Sequence, residues 1–275
     1  MADYTQDYLL DKKIKIFQPN DGYRASSDAV FLSSLLDGAA PGERILDVGS
    51  GTGAVSLCLA HRFPQTSIAG IEIQPRLAEL SAMSAAANGF DKLKYINADI
   101  RQPLKELANG SFHHVVTNPP YADRDMPSPN PSKAAAHNLQ QFDLSAWIAF
   151  CLKMLRPHGY FYIVNRAEAL DQILATLYKK AGAVVIVPLF SKTGQTAKRV
   201  LISARKDSKA PTRILPGLTV HDSSGAYTER ARRILRDGQS LFSTEPALQN
   251  RQSGFRRNQS LSAAPQSPDR PTSPD

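Results

Sequence analysis

The sequence predicts an α/β fold in which a mostly parallel sheet is covered by helices on both faces. Three observations predict it. From Glu43 to about Ala204, short apolar runs alternate with amphipathic ones, the order that strand–helix–strand crossovers produce. A glycine-rich turn, Gly49-Ser50-Gly51-Thr52-Gly53, follows the first apolar run and opens a helical pattern. The tetrapeptide Asn118-Pro119-Pro120-Tyr121 ends the fourth run, and the carboxyl ends of parallel strands are where such sheets build sites.

Lys13 to Phe17 alternates as a strand, Asn20-Asp21-Gly22 turns the chain, and Ser27 to Leu36 reads as a helix with Ser26 or Ser27 as its cap. Ile45 to Val48 is the first core strand, and Gly53 to Phe63 the helix after it. Ile68 to Ile73 is the second strand; Pro75 to Asn88 is a helix with proline in its first turn and Asn88-Gly89 as its stop. Leu93 to Ile96 and Phe112 to Thr117 are strands three and four, with a short helix predicted near Leu104 to Leu107. Leu144 to Leu155 is apolar on one helical face, Gly159 to Val164 is a fifth strand, and Ala167 to Ala181 a helix. Val184 to Phe190 and Val200 to Ala204 form an antiparallel hairpin that closes a seven-stranded sheet.

Four regions follow: a segment at 1–42 with a strand and a helix, the core at 43–205, a basic extension at 206–242 with a helical stretch from Thr228 to Leu235, and a tail at 243–275. Ser, Pro, Gln and Arg dominate that tail, which predicts disorder. The chain has 275 residues, and 33 Lys and Arg against 25 Asp and Glu give a formal charge of +8, which favours polyanionic partners. Only Cys58 and Cys151 are present, both inside apolar helical patterns, so neither a disulfide framework nor metal-ligand spacing is predicted. Met1 to Lys13 lacks a basic start followed by an apolar core, and no run is long enough to span a bilayer. The expectation is a cytoplasmic protein without a membrane or metal partner.

The glycine turn also satisfies G-x-G-x-x-A, so a dinucleotide fold competes. Asp47 decides against it. A carboxylate just before the glycines would repel a pyrophosphate and would attract the amino group of S-adenosylmethionine, which carries no phosphate. Glu72 ends the second strand where adenosine ribose hydroxyls lie in both cofactor classes. Asp99, after the third strand, can accept from an adenine amino group. Asn118 and the carbonyl of Pro119 offer two adjacent acceptors suited to an exocyclic or amide NH2, and the Tyr121 ring can stack on a planar group.

Taken together, ILDVGSGTG, GIEI, NADI and NPPY resemble the successive motifs of class I S-adenosylmethionine-dependent methyltransferases over about residues 44 to 205. The resemblance implies a Rossmann-like fold. It implies cofactor binding by Asp47, Gly49, Gly51, Gly53, Glu72, Ile73, Asp99, Ile100 and Asn118, and catalysis at Asn118, Pro119, Pro120 and Tyr121. NPPY is similar to the amino-methylating branch, which acts on adenine N6, guanine N2 or glutamine N5. GYRASSDAVFLSSLL at Gly22 to Leu36 and PGLTVHDSSGAYTERARRIL at Pro216 to Leu235 resemble bacterial valine-tRNA adenine N6-methyltransferases. That narrower likeness implies a tRNA substrate modified at adenine 37, beside the anticodon. It also implies that the helix after Tyr23, Arg24 and Asp28 covers the methyl donor.

The polar, proline-broken segment Ala122 to Phe142 is predicted to lie over the pocket, with His137 a candidate phosphate contact. Lys198, Arg199, Arg205, Lys206, Lys209 and Arg213 crowd a stretch whose only acid is Asp207. Arg230, Arg232, Arg233 and Arg236 follow at helical spacing as further candidate phosphate contacts.

Overall fold

A computed structural model describes residues 3–22, 24–104, 106–121 and 143–243. Tyr23, the segment 122–142 with His137, and the tail beyond 243 lie outside the described residues. The described residues up to Leu241 belong to one compact unit.

Among the described residues nine strands form the main sheet, two more than the sequence predicts. In chain order the core strands are β3 (Arg44–Val48), β4 (Ser67–Glu72), β5 (Leu93–Asn97), β6 (Phe112–Thr117), β7 (Leu155–Arg166), β8 (Ala181–Lys192) and β9 (Ala197–Lys206). They lie in the order β5-β4-β3-β6-β7-β9-β8, parallel except for β9, which runs antiparallel to both neighbours. The additional strands β10 (Arg213–Ile214) and β11 (Leu218–His221) both pair parallel with β8. They amount to one edge strand interrupted at Pro216-Gly217. Proline cannot donate to the ladder, and a Cβ on Gly217 would meet the Phe190 ring at 2.2 Å. Two and four residues are too few for periodicity to announce a strand, so the sequence concealed them.

Strand β2 (Ile14–Pro19) pairs antiparallel with β1 (Tyr4–Leu9), a strand the sequence reading left out. Three consecutive residues at positive φ, Leu10, Asp11 and Lys12, make the turn without any glycine to signal it. Outside the main sheet, this hairpin docks on α3 (Pro75–Ala87). The Phe17 amide donates to Ser84 Oγ at 2.9 Å and the Lys15 amide to Asn88 Oδ1 at 2.9 Å, which satisfies backbone groups on its exposed edge.

Helices α1 (Ser27–Leu35) and α2 (Ala54–Arg62) pack together on one side. Ser26 caps α1 by accepting from the Asp28 amide. Elsewhere α4 (Leu144–Met154) and α5 (Leu170–Leu177) pack together, and Trp147, Ile148, Cys151, Ile173 and Leu177 join Leu46, Val115, Phe161 and Ile202 in one apolar cluster. Helix α5 ends earlier than its predicted limit at Ala181, because Lys179 turns to positive φ and Ala181 already pairs with Lys206. The predicted helix at Leu104 to Leu107 is absent: Leu104, Glu106 and Leu107 are non-helical. So short a segment after a proline gains too little hydrogen bonding to nucleate a helix. Helix α6 (Glu229–Asp237) follows β11, capped by the Thr228 hydroxyl and stopped by Gly238 in the left-handed region.

Candidate active site

Four parallel strands end side by side in the order β5-β4-β3-β6, so residues 97–100, 72–73, 47–53 and 118–121 form one row at their carboxyl ends. The order reverses between β3 and β6, and a crevice opens at such a switch point. Val48 and Thr117 are paired across that boundary. The Thr117 hydroxyl donates to the Val48 carbonyl at 2.8 Å and accepts from Trp147 Nε1 at 2.8 Å, which fixes the exits of β3 and β6 relative to each other.

The glycine turn needs its glycines for conformation and for packing. Gly49, Gly51 and Gly53 have φ of 72°, 56° and 86°, a region that penalises any side chain. A Cβ on Gly49 would stand 2.7 Å from the Trp147 ring, and one on Gly53 would stand 2.3 Å from the Tyr95 hydroxyl. Amides of Gly49 and Ser50 both donate to the Ile71 carbonyl, which fastens the turn to β4.

Asp47 is buried at the end of β3. Its Oδ2 accepts from the Ser56 amide at 3.2 Å, in the first turn of α2, while Oδ1 has no hydrogen-bond partner among the described residues. Burial pushes this carboxyl up to about 7, against the hydrogen bonds from Ser56 and with the charge of Glu72 adding to the rise. Ser50 Oγ and Thr52 Oγ1 are likewise buried without partners among the described residues. Three such oxygens around one turn cost stability unless a polar ligand uses them.

Glu72 accepts from the Gly51 amide at 2.8 Å and the Gln74 amide at 2.9 Å. Burial pushes it upward despite those bonds, and each oxygen keeps a second lone pair suited to a hydroxyl donor. Asn97 spans the exit of β4, donating to the carbonyls of Glu72 and Ile73 at 2.8 and 3.0 Å, and so sets where Ile73 stands. Asp99, next to Ile100, is held by Arg101. Both of its oxygens accept from that guanidinium, and this hydrogen bonding lowers its carboxyl. An adenine amino group would have to share those oxygens.

Asn118 and Tyr121 are half-buried and Pro119 is buried. The Tyr121 hydroxyl lies 3.1 Å from Asn118 Oδ1 and 3.1 Å from Asp28 Oδ2, the latter in the first turn of α1. Arg199 Nε donates to the same Asp28 oxygen at 3.1 Å, and its guanidinium carbon stands 4.7 Å from the Tyr121 ring centre. Arg166, directly opposite Arg199 in the β7–β9 ladder, lies 5.6 Å from that centre. In the sequence Asp28 stands only beside the predicted helix and Arg199 among the candidate phosphate contacts, and nothing there marks Arg166, Trp147, Ser50 or Thr52. A lone tryptophan and ordinary hydroxyls carry no spacing signal.

Several of the basic candidates have internal partners. Arg205 and Lys206 donate to the carbonyls of His158 and Leu155, and Arg232 and Arg233 both pair with Glu229. Arg24 pairs with Asp7 of the N-terminal hairpin. Lys198 and Lys209 are exposed. Among the described residues no cluster of His, Cys, Asp and Glu could hold a metal ion, and no helix is long and apolar enough to cross a membrane.

A parallel sheet with one antiparallel strand, a glycine turn at its switch point and the sequence NPPY beside it define a Rossmann-like class I methyltransferase. The chain belongs to the methyltransferase small domain family, which matches residues 25–187. Among curated proteins it is similar to the tRNA1(Val) (adenine(37)-N6)-methyltransferase of Porphyromonas gingivalis (strain W83), with 28% identity over 81% of this chain and 91% of that protein. The protein of the same name from Actinobacillus succinogenes is 25% identical over 79% of this chain and 90% of its own length. Among solved structures, a predicted O-methyltransferase from Agrobacterium tumefaciens superposes with a TM-score of 0.65 at 24% identity, covering 78% of this chain and 97% of that one.

Proposed function

We propose that this chain methylates N6 of adenine 37 in a valine tRNA, beside the anticodon, with S-adenosylmethionine as the methyl donor. The observation that carries the reading is the placement of Asn118 and Pro119 at the end of β6, next to the glycine turn that ends β3. The names of the relatives support the tRNA, and a tRNA substrate implies work in the cytoplasm. Exposed Lys198 and Lys209 support attraction of an RNA backbone.

The residues present fit the donor. Asp47 Oδ1 would take its ammonium, the hydroxyls of Ser50 and Thr52 its carboxylate, and Glu72 its ribose hydroxyls, with Ile73 and Ile100 beside the adenine. When bound, S-adenosylmethionine supplies an electrophilic sulfonium methyl group. The task left to the protein is the nucleophile. The lone pair of an adenine amino nitrogen is delocalised into the ring, and acceptance of its two hydrogens by Asn118 Oδ1 and the Pro119 carbonyl localises it and aims it. The site has no need of a strong base to start this. Because the base must leave its stack, a flexible anticodon loop lowers the cost of extrusion.

The test incubates wild-type and Asn118→Ala protein with unmodified tRNA and labelled methyl donor. Label at adenine 37 with the wild type, and loss of transfer with undiminished binding of S-adenosylhomocysteine in the variant, is the expected result. Label in a release-factor glutamine, in DNA adenine or on ribosomal guanine N2, with none in tRNA adenosine, overturns the substrate assignment.

A further inference from the structure

The Tyr121 hydroxyl has one hydrogen and two acceptors at equal distance: Asn118 Oδ1 and Asp28 Oδ2, both at 3.1 Å. They are not equivalent. Asn118 is the amide that the amino-methylating reading reserves for the substrate, whereas Asp28 comes from α1, 93 residues away in the chain, and takes no part in that reading. A carboxylate accepts a hydrogen bond more strongly than a neutral amide does. The ion pair from Arg199 Nε keeps Asp28 oriented toward the ring, and the same guanidinium covers the ring at 4.7 Å. Burial and the negative charge of Asp28 both push the tyrosine hydroxyl upward, so it remains a donor throughout the neutral range.

We infer that Asp28 is a positioning residue for methyl transfer: it draws the Tyr121 hydroxyl hydrogen away from Asn118 and so leaves Oδ1 of that amide available to the substrate amine. The inference rests on the amine-directed reading of Asn118. With the hydroxyl hydrogen directed at Asp28, the oxygens of Tyr121 and Asn118 face each other at 3.1 Å with no hydrogen between them. That contact is mildly repulsive, and an incoming N–H relieves it. With Asp28 removed, the hydroxyl turns to Asn118 and competes with the substrate for the same oxygen. The hydrogen moves only by rotation about the C–O bond, so no proton leaves the tyrosine. Arg199 supports the arrangement from β9, 171 residues from Asp28.

The arrangement predicts a specific pattern of non-additivity. Asp28→Ala should lower kcat by up to about tenfold, the scale of one competing hydrogen bond to a neutral amide, and leave the affinity for S-adenosylhomocysteine within about twofold. Asp28→Asn keeps an acceptor for the hydroxyl, though one no stronger than Asn118, and should restore the lost turnover in part. Tyr121→Phe keeps the ring and removes the competing hydrogen, so adding Asp28→Ala to it should change kcat by less than about twofold, which the double-mutant cycle reads as coupling.

Wild type, the three single variants and the double variant are assayed by single-turnover methyl transfer, with the acceptor that the wild type labels, alongside thermal melting and cofactor titration. Coupling with unchanged cofactor affinity is the expected result. Additive losses in the double variant, or an Asp28→Asn protein as slow as Asp28→Ala, overturn the positioning role. A fall in melting temperature and cofactor affinity that accounts for the lost rate in Asp28→Asn overturns it as well, because that would mark a structural contact. If the wild type labels an amine other than tRNA adenosine, the substrate proposal fails while the cycle still decides the role of Asp28.

Discussion

At the scale of single residues, the most consequential feature is a buried acid whose charge the fold disfavours. Burial raises Asp47 from an ordinary 3.8 to about 7, so between those values the folded chain holds a proton that the unfolded chain has released. Stability therefore falls as pH rises from about 4 to 7, and is level above that. An ammonium beside Oδ1 reverses the preference and favours the ionised form. S-adenosylhomocysteine should accordingly bind more tightly as pH rises from 5 to 7, with proton release on binding, measurable by calorimetry in buffers of different ionisation enthalpy. Asp47→Asn should flatten that pH dependence and weaken binding. The same variant should melt several degrees above wild type at pH 8, since a neutral side chain avoids the buried charge. A wild-type affinity independent of pH over this range would contradict the assignment of the ammonium to Asp47.

At the scale of elements, the chain after β9 is tied to the sheet by β10, β11 and α6. Thr228 sits at the joint. Its hydroxyl accepts from the Ala231 amide at the start of α6 and donates to the Thr219 carbonyl of β11 at 2.7 Å. Thr228→Ala should cost about 1 kcal/mol from loss of the cap, and somewhat more because the bond to β11 goes too. Urea unfolding would show this as a lower midpoint with an unchanged slope. Arg232 and Arg233 share Glu229 on the exposed side of α6, so the helix presents less free positive charge than its composition suggests.

At the scale of the whole molecule, acid unfolding has an identifiable contributor. Glu43 accepts from His114 Nε2 at 2.9 Å and from the Ala40 amide at 2.9 Å, joining the entry to β3 with β6. Burial alone would raise its carboxyl, but the bond from His114, the Ala40 amide and the neighbouring histidine charges bring it down to about 2. A depressed folded value stabilises above the unfolded 4.5, and that contribution drains away as pH falls from 4.5 toward 2. The stability gap between wild type and Glu43→Gln should therefore be wide at pH 6 and narrow at pH 3 in urea titrations. A constant gap would show that the carboxylate charge is irrelevant. The formal charge of +8 acts over the same scale, and affinity for tRNA should fall steeply with added salt.

The sequence by itself determined what is encoded locally: seven core strands and their helices from the period of apolar residues, the turn from its glycines, and the row of Asp47, Glu72, Asp99 and Asn118 from their positions at strand ends. Each of these signals spans a few neighbouring residues, and a parallel sheet converts strand ends into one crevice without further instruction. The tertiary structure alone decided the contacts between distant segments. It folded β1 onto β2 through a turn without glycine, extended the sheet by β10 and β11, and set Trp147 under Gly49. It also brought Asp28, Tyr121 and Arg199 together from α1, the end of β6 and β9. No local period records such meetings, because they depend on the order of strands in the sheet, and that order is fixed by the packing of the whole core.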